Sequence, residues 1–262
     1  MRISRKSVLS ATVENLDLAI SHFAAFVPAM EIIHGTAVVR RIDLKDRTYN
    51  MVMNAQFTKQ NASCEIERII DLFKEKALPF SWWVCPSDRP HNLKELLHAK
   101  GLVVKEVDAN MYLDLSQYEE KEIAPLQCRM ALNHSQLQDF ISIQASIGRN
   151  PEAFDMIYSK LPASAYTAGS PVGLHLGYVD GKPVVTGMLV IQNGVAGIYF
   201  VATEPGERRK NYATKMMRYL LATAKNAGCK MAVLESSQLG KRLYENLGFI
   251  ENDSFIEMIL PE

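Results

Sequence analysis

The sequence predicts an α/β (α+β) fold, and three observations carry that prediction. Apolar residues recur along the chain with helical period in some segments and with strand period in others. Near residue 181 two extended segments meet at Gly181-Lys182, the signature of a β-hairpin. A helix end, a glycine stop and a strand follow one another twice, in LHAKGLVV (97–104) and LYENLGFIE (243–251). That echo reads either as two related units or as a succession common to any α/β chain.

Taken in order, residues 12–30 predict an amphipathic helix, with Leu16, Ile20, Phe23 and Val27 on one face and Pro28 at its end. Segments 36–42 and 48–53 read as strands. A second helix covers 63–77, with Ser63 as N-cap and Ile66, Ile69, Ile70 and Phe73 inward. PFSWWV (79–84) is a strand ended by Pro86, and 92–100 is a short helix stopped by Gly101. Extended structure resumes over 102–107 and 110–115. SQYEEKEIAP (116–125) is polar and acidic and is the best linker, dividing the chain into units 1–118 and 119–262. Helices follow at 134–147 and 151–161, then a loop at 162–171 that either joins elements or borders an acceptor site. Strands are expected at 174–180, 184–192 and 196–203, a helix at 211–226, a strand at 230–236, a helix at 238–247 and a strand at 249–260.

Composition narrows the function. Twenty-nine Lys and Arg balance twenty-nine Asp and Glu, so there is no overall field for nucleic acid or an anionic membrane, and neither partner is expected. Cys64, Cys85, Cys128 and Cys229 are scattered, which fits free thiols in the cytoplasm, and the six histidines lack ligand spacing, so no metal is expected. No apolar run reaches the roughly 20 residues of a spanning helix, and no secretory signal is visible.

The chemistry concentrates in the segment from Val201 to Thr214, between a predicted strand and a predicted helix. The first turn of a helix presents unpaired N–H groups and the positive end of its dipole, a ready seat for an anion. Arg208, Arg209 and Lys210 add charge beside it, although basic residues ordinarily favour the opposite end of a helix. Ala213 and Thr214 are small enough to admit a phosphate, and Asn211 tolerates a left-handed backbone. The spacing fits a diphosphate. The competing account is a basic surface loop over an ordinary helix.

This segment resembles the cofactor loop of the GNAT superfamily of acyl-CoA N-acyltransferases, written Arg/Gln-x-x-Gly-x-Gly/Ala after a strand and a proline. Arg208, Asn211 and Ala213 occupy the three positions, with Asn211 in place of the first glycine. Ser237, Gly240 and Leu243 to Phe249 resemble the C-terminal part of the same enzymes, at the expected distance. The resemblance covers 170–262. The N-terminal half is similar to the degenerate leading half of two-unit members and lacks the basic loop.

What the resemblance implies is a mixed, mostly antiparallel sheet with flanking helices, duplicated in two tandem units. It also implies acetyl-CoA as co-substrate, with an amine of a small molecule or peptide as acceptor. The pantetheine arm would lie where two strands splay, against Val201 and Thr203. The backbone from Arg208 through Tyr212 to Thr214 would hold the diphosphate. Tyr244 would protonate the departing thiolate, or else pack as a core residue. Glu235 is the first candidate for the base and Glu204 the second; either is equally readable as a solvated strand-end carboxylate. Ser236 and Ser237 either contact substrate or cap the next helix. One of Trp82 and Trp83 should be core, and of Tyr199 and Phe200 one should line the cleft while the other packs. Two other functions stay open: an acyl-CoA-binding module without turnover, and transfer of a longer acyl or aminoacyl group. The protein would act as a monomer or homodimer.

Overall fold

The computed structural model describes residues 4–119 and 126–261. Helix α1 (Arg5–Ser21) starts at Ser4, whose hydroxyl accepts the N–H of Ser7 at 3.1 Å, and passes into a 3-10 turn at His22–Ala25. Strands β1 (Met30–His34), β2 (Val38–Ile42) and β3 (Met51–Met53) follow as an antiparallel meander. Helix α2 (Ala62–Lys74) returns the chain to β4 (Ser81–Val84), which is parallel to β3, and α3 (Leu93–Ala99) leads to the long β5 (Val103–Asp114).

The second half repeats the plan. Strand β6 (Gln127–Met130), helices α4 (His134–Ser146) and α5 (Pro151–Tyr158), and the meander β7 (Val172–Val179), β8 (Lys182–Gln192) and β9 (Val195–Thr203) come first. Helix α6 (Tyr212–Asn226) then crosses to β10 (Met231–Ser236), parallel to β9, and α7 (Lys241–Asn246) leads to β11 (Ile250–Ile259). The glycines that stop α3 and α7, Gly101 and Gly248, have φ of 93° and 94°. The echo seen in the sequence therefore falls at equivalent places.

The eleven strands of the described residues form one sheet in the order β1-β2-β3-β4-β11-β5-β10-β9-β8-β7-β6. Among the strands of the described residues, β3–β4 and β9–β10 pair in parallel and the rest antiparallel, so the sheet is mixed and mostly antiparallel, as expected. The centre holds an exchange: β11 lies between β4 and β5, and β5 lies between β11 and β10.

Helices cover both faces. Helix α6 buries Met216, Met217, Leu220, Leu221 and Ala224 against the sheet, each large side chain worth about 1.5–3 kcal/mol on burial. Gly187 on β8 permits this approach, since a Cβ there would stand 2.7 Å from a Leu220 methyl. Helix α2 packs Ile66, Ile69, Ile70 and Phe73 into a cluster with Trp82.

Several expectations shift. The first helix runs Arg5–Ser21 rather than 12–30, because the Ser4 cap starts it earlier and the 3-10 turn ends it; β1, which follows at Met30–His34, was not anticipated. Ser63 lies inside α2, not at its cap; Asn61 precedes the helix and accepts the N–H of Thr58 instead. The two extended pieces at 102–115 are one strand, β5. Strand β6 was not anticipated. Of the expected linker, 116–117 belong to a 3-10 turn that starts at Leu115, and 120–125 lies outside the described residues. Loop 162–171 is a packed connector in which Tyr166 is buried and the Ala165 carbonyl meets His22 Nε2 at 2.7 Å.

Candidate active site

Parallel β9 and β10 stay paired only from Val195–Met231 to Gly197–Val233. Beyond that point Leu234 to Ser236 pair with β5, while Ile198 to Thr203 pair only with β8. The strands therefore separate, and the facing edge of β9 has no strand partner. A register shift between Thr186 and Met188 marks a bulge, with Phe200 at φ of 51°. The bulge is pinned from within: the Phe200 carbonyl accepts Gln144 Nε2 at 2.8 Å and Thr186 Oγ1 at 3.0 Å. Because the bulge breaks strand alternation, Tyr199, Phe200 and Val201 all line the resulting cavity, which corrects the expectation that one of the first two turns away. Thr203 continues the unpaired edge without reaching the cavity lining.

Past β9 the loop makes a 3-10 turn (Pro205–Glu207), and two residues without a glycine's freedom take left-handed backbones, Arg209 (φ 64°) and Asn211 (φ 62°). The position where the family pattern has its first glycine thus requires positive φ here as well. Asn211 makes no side-chain cap to α6, and the first turn of that helix, with Tyr212, Ala213 and Thr214, holds no acidic residue. Arg208 and Arg209 are exposed at this uncapped end. Lys210 is partly spent on the protein itself, since its Nζ lies 2.8 Å from Glu207 Oε2. Glu204 turns onto its own loop, where a Cβ on Gly206 would meet its Oε2 at 3.2 Å; it does not line the cavity.

On the opposite side, Tyr244 of α7 enters the cavity beside Gly240, where a Cβ would come within 3.1 Å of the ring. Burial pushes the Tyr244 phenol up to about 12, so it is protonated throughout the neutral range. Ser237 lines the cavity, whereas Ser236 is buried and donates to the Ser237 carbonyl at 2.9 Å. Neither caps α7, which begins after Gly240 without a side-chain cap.

Glu235 stands in the wall on β10. Its Oε1 is shielded from water and has no hydrogen-bond partner among the described residues. Burial and the nearby Asp108 push it up to about 8. Register explains the neighbours: Glu235 pairs with Asn110, two residues from Asp108 and four from Glu106, and Glu106 pairs with Glu257 of β11. All four carboxylates therefore share one face across three strands. Asp108 is pushed up to about 6 by burial, then by Glu106 and Glu257. Glu257 accepts the Ser81 hydroxyl and lies 3.8 Å from Arg47 Nε. Trp83 lines the cavity beside this face while Trp82 is core, as expected of a strand pair.

The cavity holds about 520 Å³ and is roofed by Leu16, Ile20 and Phe23 of α1. Asn15 fixes that roof: its Nδ2 donates to the Val190 carbonyl at 3.1 Å and its Oδ1 accepts the Tyr199 hydroxyl at 3.0 Å. Gly197 makes the approach possible, because a Cβ there would overlap Asn15 Oδ1 at 1.8 Å. The equivalent parting of β3 and β4 is filled by the chain itself, with Arg89 N–H donating to Ala55 and Phe57 N–H to Arg89 at 2.8 and 3.0 Å.

Residues 137–249 match the acetyltransferase (GNAT) family. The chain carries a GNAT acetyltransferase domain. Solved structures extend the likeness over both halves. A GCN5-related N-acetyltransferase from Kribbella flavida has a TM-score of 0.73 at 18% identity, covering 100% of this chain and 97% of that one. A tandem GNAT protein from the clavulanic acid biosynthesis pathway has a TM-score of 0.64 at 10% identity, covering 98% and 96%. A GCN5-related N-acetyltransferase from Sphaerobacter thermophilus has a TM-score of 0.64 at 14% identity, covering 87% and 81%. No curated protein matches the chain in sequence.

Residues 137–249 accordingly form an acyltransferase domain of the GNAT type, a family that transfers acyl groups from acyl-CoA to an acceptor, and the chain as a whole has a two-unit fold. The matched stretch of the GNAT domain contains the β9–β10 parting, the left-handed loop and Tyr244. It does not contain α1, β5 or β11, so the roof and three of the four wall carboxylates come from outside it. Sequence reasoning missed Asp108, Glu106 and Glu257, and with them Arg40, Arg149, Tyr49 and Tyr158 around the cavity. Only the strand exchange brings those carboxylates to Glu235. Among the described residues no helix is long and apolar enough to cross a membrane, and no cluster suits a metal ion.

Proposed function

We propose that the protein moves an acetyl group from acetyl-CoA to the primary amine of a small molecule, by direct attack with both substrates bound. The observation that carries this reading is the parting of β9 from β10 next to the uncapped, left-handed entry to α6. An unpaired strand edge suits the amides of a pantetheine arm, and the helix entry suits a diphosphate. Val201 and Thr203 would contact the arm. The backbone of Arg208 to Thr214 would hold the phosphates, with Arg208 and Arg209 supplying more of the charge than Lys210.

Acyl-CoA supplies an activated acyl carbon and a thiolate leaving group. For the chain's part, the N–H of Val201, just after the pinned bulge, would donate to the developing oxyanion. Glu235 would take a proton from the attacking amine, a task its raised pKa suits near pH 8. Tyr244 would return a proton to the sulfur as the carbon–sulfur bond breaks. A base and an acid facing one cavity favour turnover over binding alone. We read 1–118 as a unit that shapes the acceptor side and 119–262 as the unit that binds the co-substrate. The four free thiols fit a reducing cytoplasm.

A thermal-shift titration with coenzyme A tests the loop, and release of free thiol from acetyl-CoA with an amine panel tests the reaction. Arg208→Glu combined with Lys210→Glu is expected to abolish the shift. An unchanged shift in that double variant would remove the reading.

A further inference from the structure

The cavity that receives the acceptor is polarised. One wall is the acidic face, where Glu235 Oε1 and Asp108 Oδ1 are shielded from water and lack hydrogen-bond partners. The other carries Arg40, Arg149 and Tyr49, and there the unpartnered shielded atoms are Arg149 Nε and the Tyr49 hydroxyl. So the two acceptors without partners lie at one end and the two donors without partners at the other. Buried polar atoms of this kind cost stability unless something pairs with them.

The cations at the second end have no carboxylate of their own. Neither Arg40 nor Arg149 takes part in an ion pair among the described residues. Arg40 is buried and donates to the backbone carbonyls of Tyr49, Ile20 and Thr48 at 3.0, 3.4 and 2.7 Å, which positions the guanidinium without neutralising it. Arg149 lies over the Phe200 ring at 4.8 Å, at the bulge itself. Leu16, Ile20, Phe23, Met188 and Ile157 give the cavity its apolar lining.

We propose that the acceptor is an amino-acid-like zwitterion whose two charged groups stand at opposite ends of an apolar chain, its carboxylate held by Arg149, Arg40 and the Tyr49 hydroxyl and its amino group at Glu235 and Asp108. A carboxylate offers only acceptors and satisfies the two unpartnered donors; an ammonium offers only donors and satisfies the two unpartnered carboxylate oxygens. A bare amine leaves the arginine end unpaired. A peptide N-terminus places a neutral amide where the carboxylate belongs. The inference rests on the acyltransferase reading above and names the substrate class for that site.

The test compares thiol release from acetyl-CoA for straight-chain ω-amino acids of increasing length, each against its decarboxylated amine and its carboxamide. The amino acid is expected to lead in kcat/KM by about 10-fold to 100-fold, the range for a charged hydrogen-bonded pair. Arg149→Met is expected to collapse that preference by raising KM for the amino acid, and Arg149→Lys to restore part of it. Retained heat of coenzyme A binding by calorimetry shows that each variant is folded. If no amino acid surpasses its decarboxylated counterpart while coenzyme A still binds, this inference falls and the acyltransferase reading stands. Absence of coenzyme A binding in the unmodified protein removes both.

Discussion

At Glu235, burial and a neighbouring carboxylate act in the same direction, and both disfavour charge. If this group is the base, kcat/KM rises with pH and levels off above about 8, the point at which Glu235 ionises. Glu235→Gln is expected to lower kcat by about 100-fold and to flatten that rise, measured as a pH–rate profile. The same substitution changes stability. The folded group titrates near 8, above its ordinary 4.5, so its contribution is complete below 4.5 and is lost as pH climbs through 8. Glu235→Gln should therefore be more stable than the unmodified protein at pH 9, by about 5 kcal/mol, and no more stable at pH 4. Tyr244→Phe is expected to cut kcat by about 10-fold to 100-fold with little change in KM for acetyl-CoA, by steady-state kinetics. Tyr244 was legible from the local spacing of its motif, and Glu235 from its place at the end of a strand. Asp108 and Glu257 were not, because nothing near them in sequence signals the face they share.

At the scale of elements, the loop before α6 is the most constrained piece of backbone in the site. Asn211 holds φ at 62° without a glycine's freedom, a conformation that costs an ordinary residue about 1–2 kcal/mol. Asn211→Gly is expected to raise stability slightly and to keep or tighten coenzyme A binding. Asn211→Val, β-branched at a left-handed position, should destabilise by about 2 kcal/mol and weaken that binding, read by thermal melts and calorimetry. The loop and the helix behind it were readable because capping chemistry and amphipathic period are local properties. The misplaced elements were those set by context. Strands β1 and β6, of five and four residues at the two edges of the sheet, are too short for alternation to register. The start of α1 depended on Ser4, ahead of the residues whose period drew attention.

At the scale of the whole molecule, the glycine stops at 101 and 248 left two units open and the family resemblance implied them, but their interlocking was not legible. A helix–glycine–strand motif fixes the order of elements along the chain and says nothing about which edge the strand will join. The structure joins β11 to β4 and β5 and β5 to β10, so the central pairings all cross between halves. Ending the chain at residue 249 should therefore abolish the cooperative melt of both halves, rather than loosening the second alone, as seen by circular dichroism and amide exchange. That arrangement also governs biogenesis. While the ribosome is still translating residues before 250, β4 and β5 are already made, and the strand that belongs between them does not yet exist. Two adhesive edges wait side by side in the nascent chain, exposed to one another and to other polypeptides, until the final segment emerges to separate them.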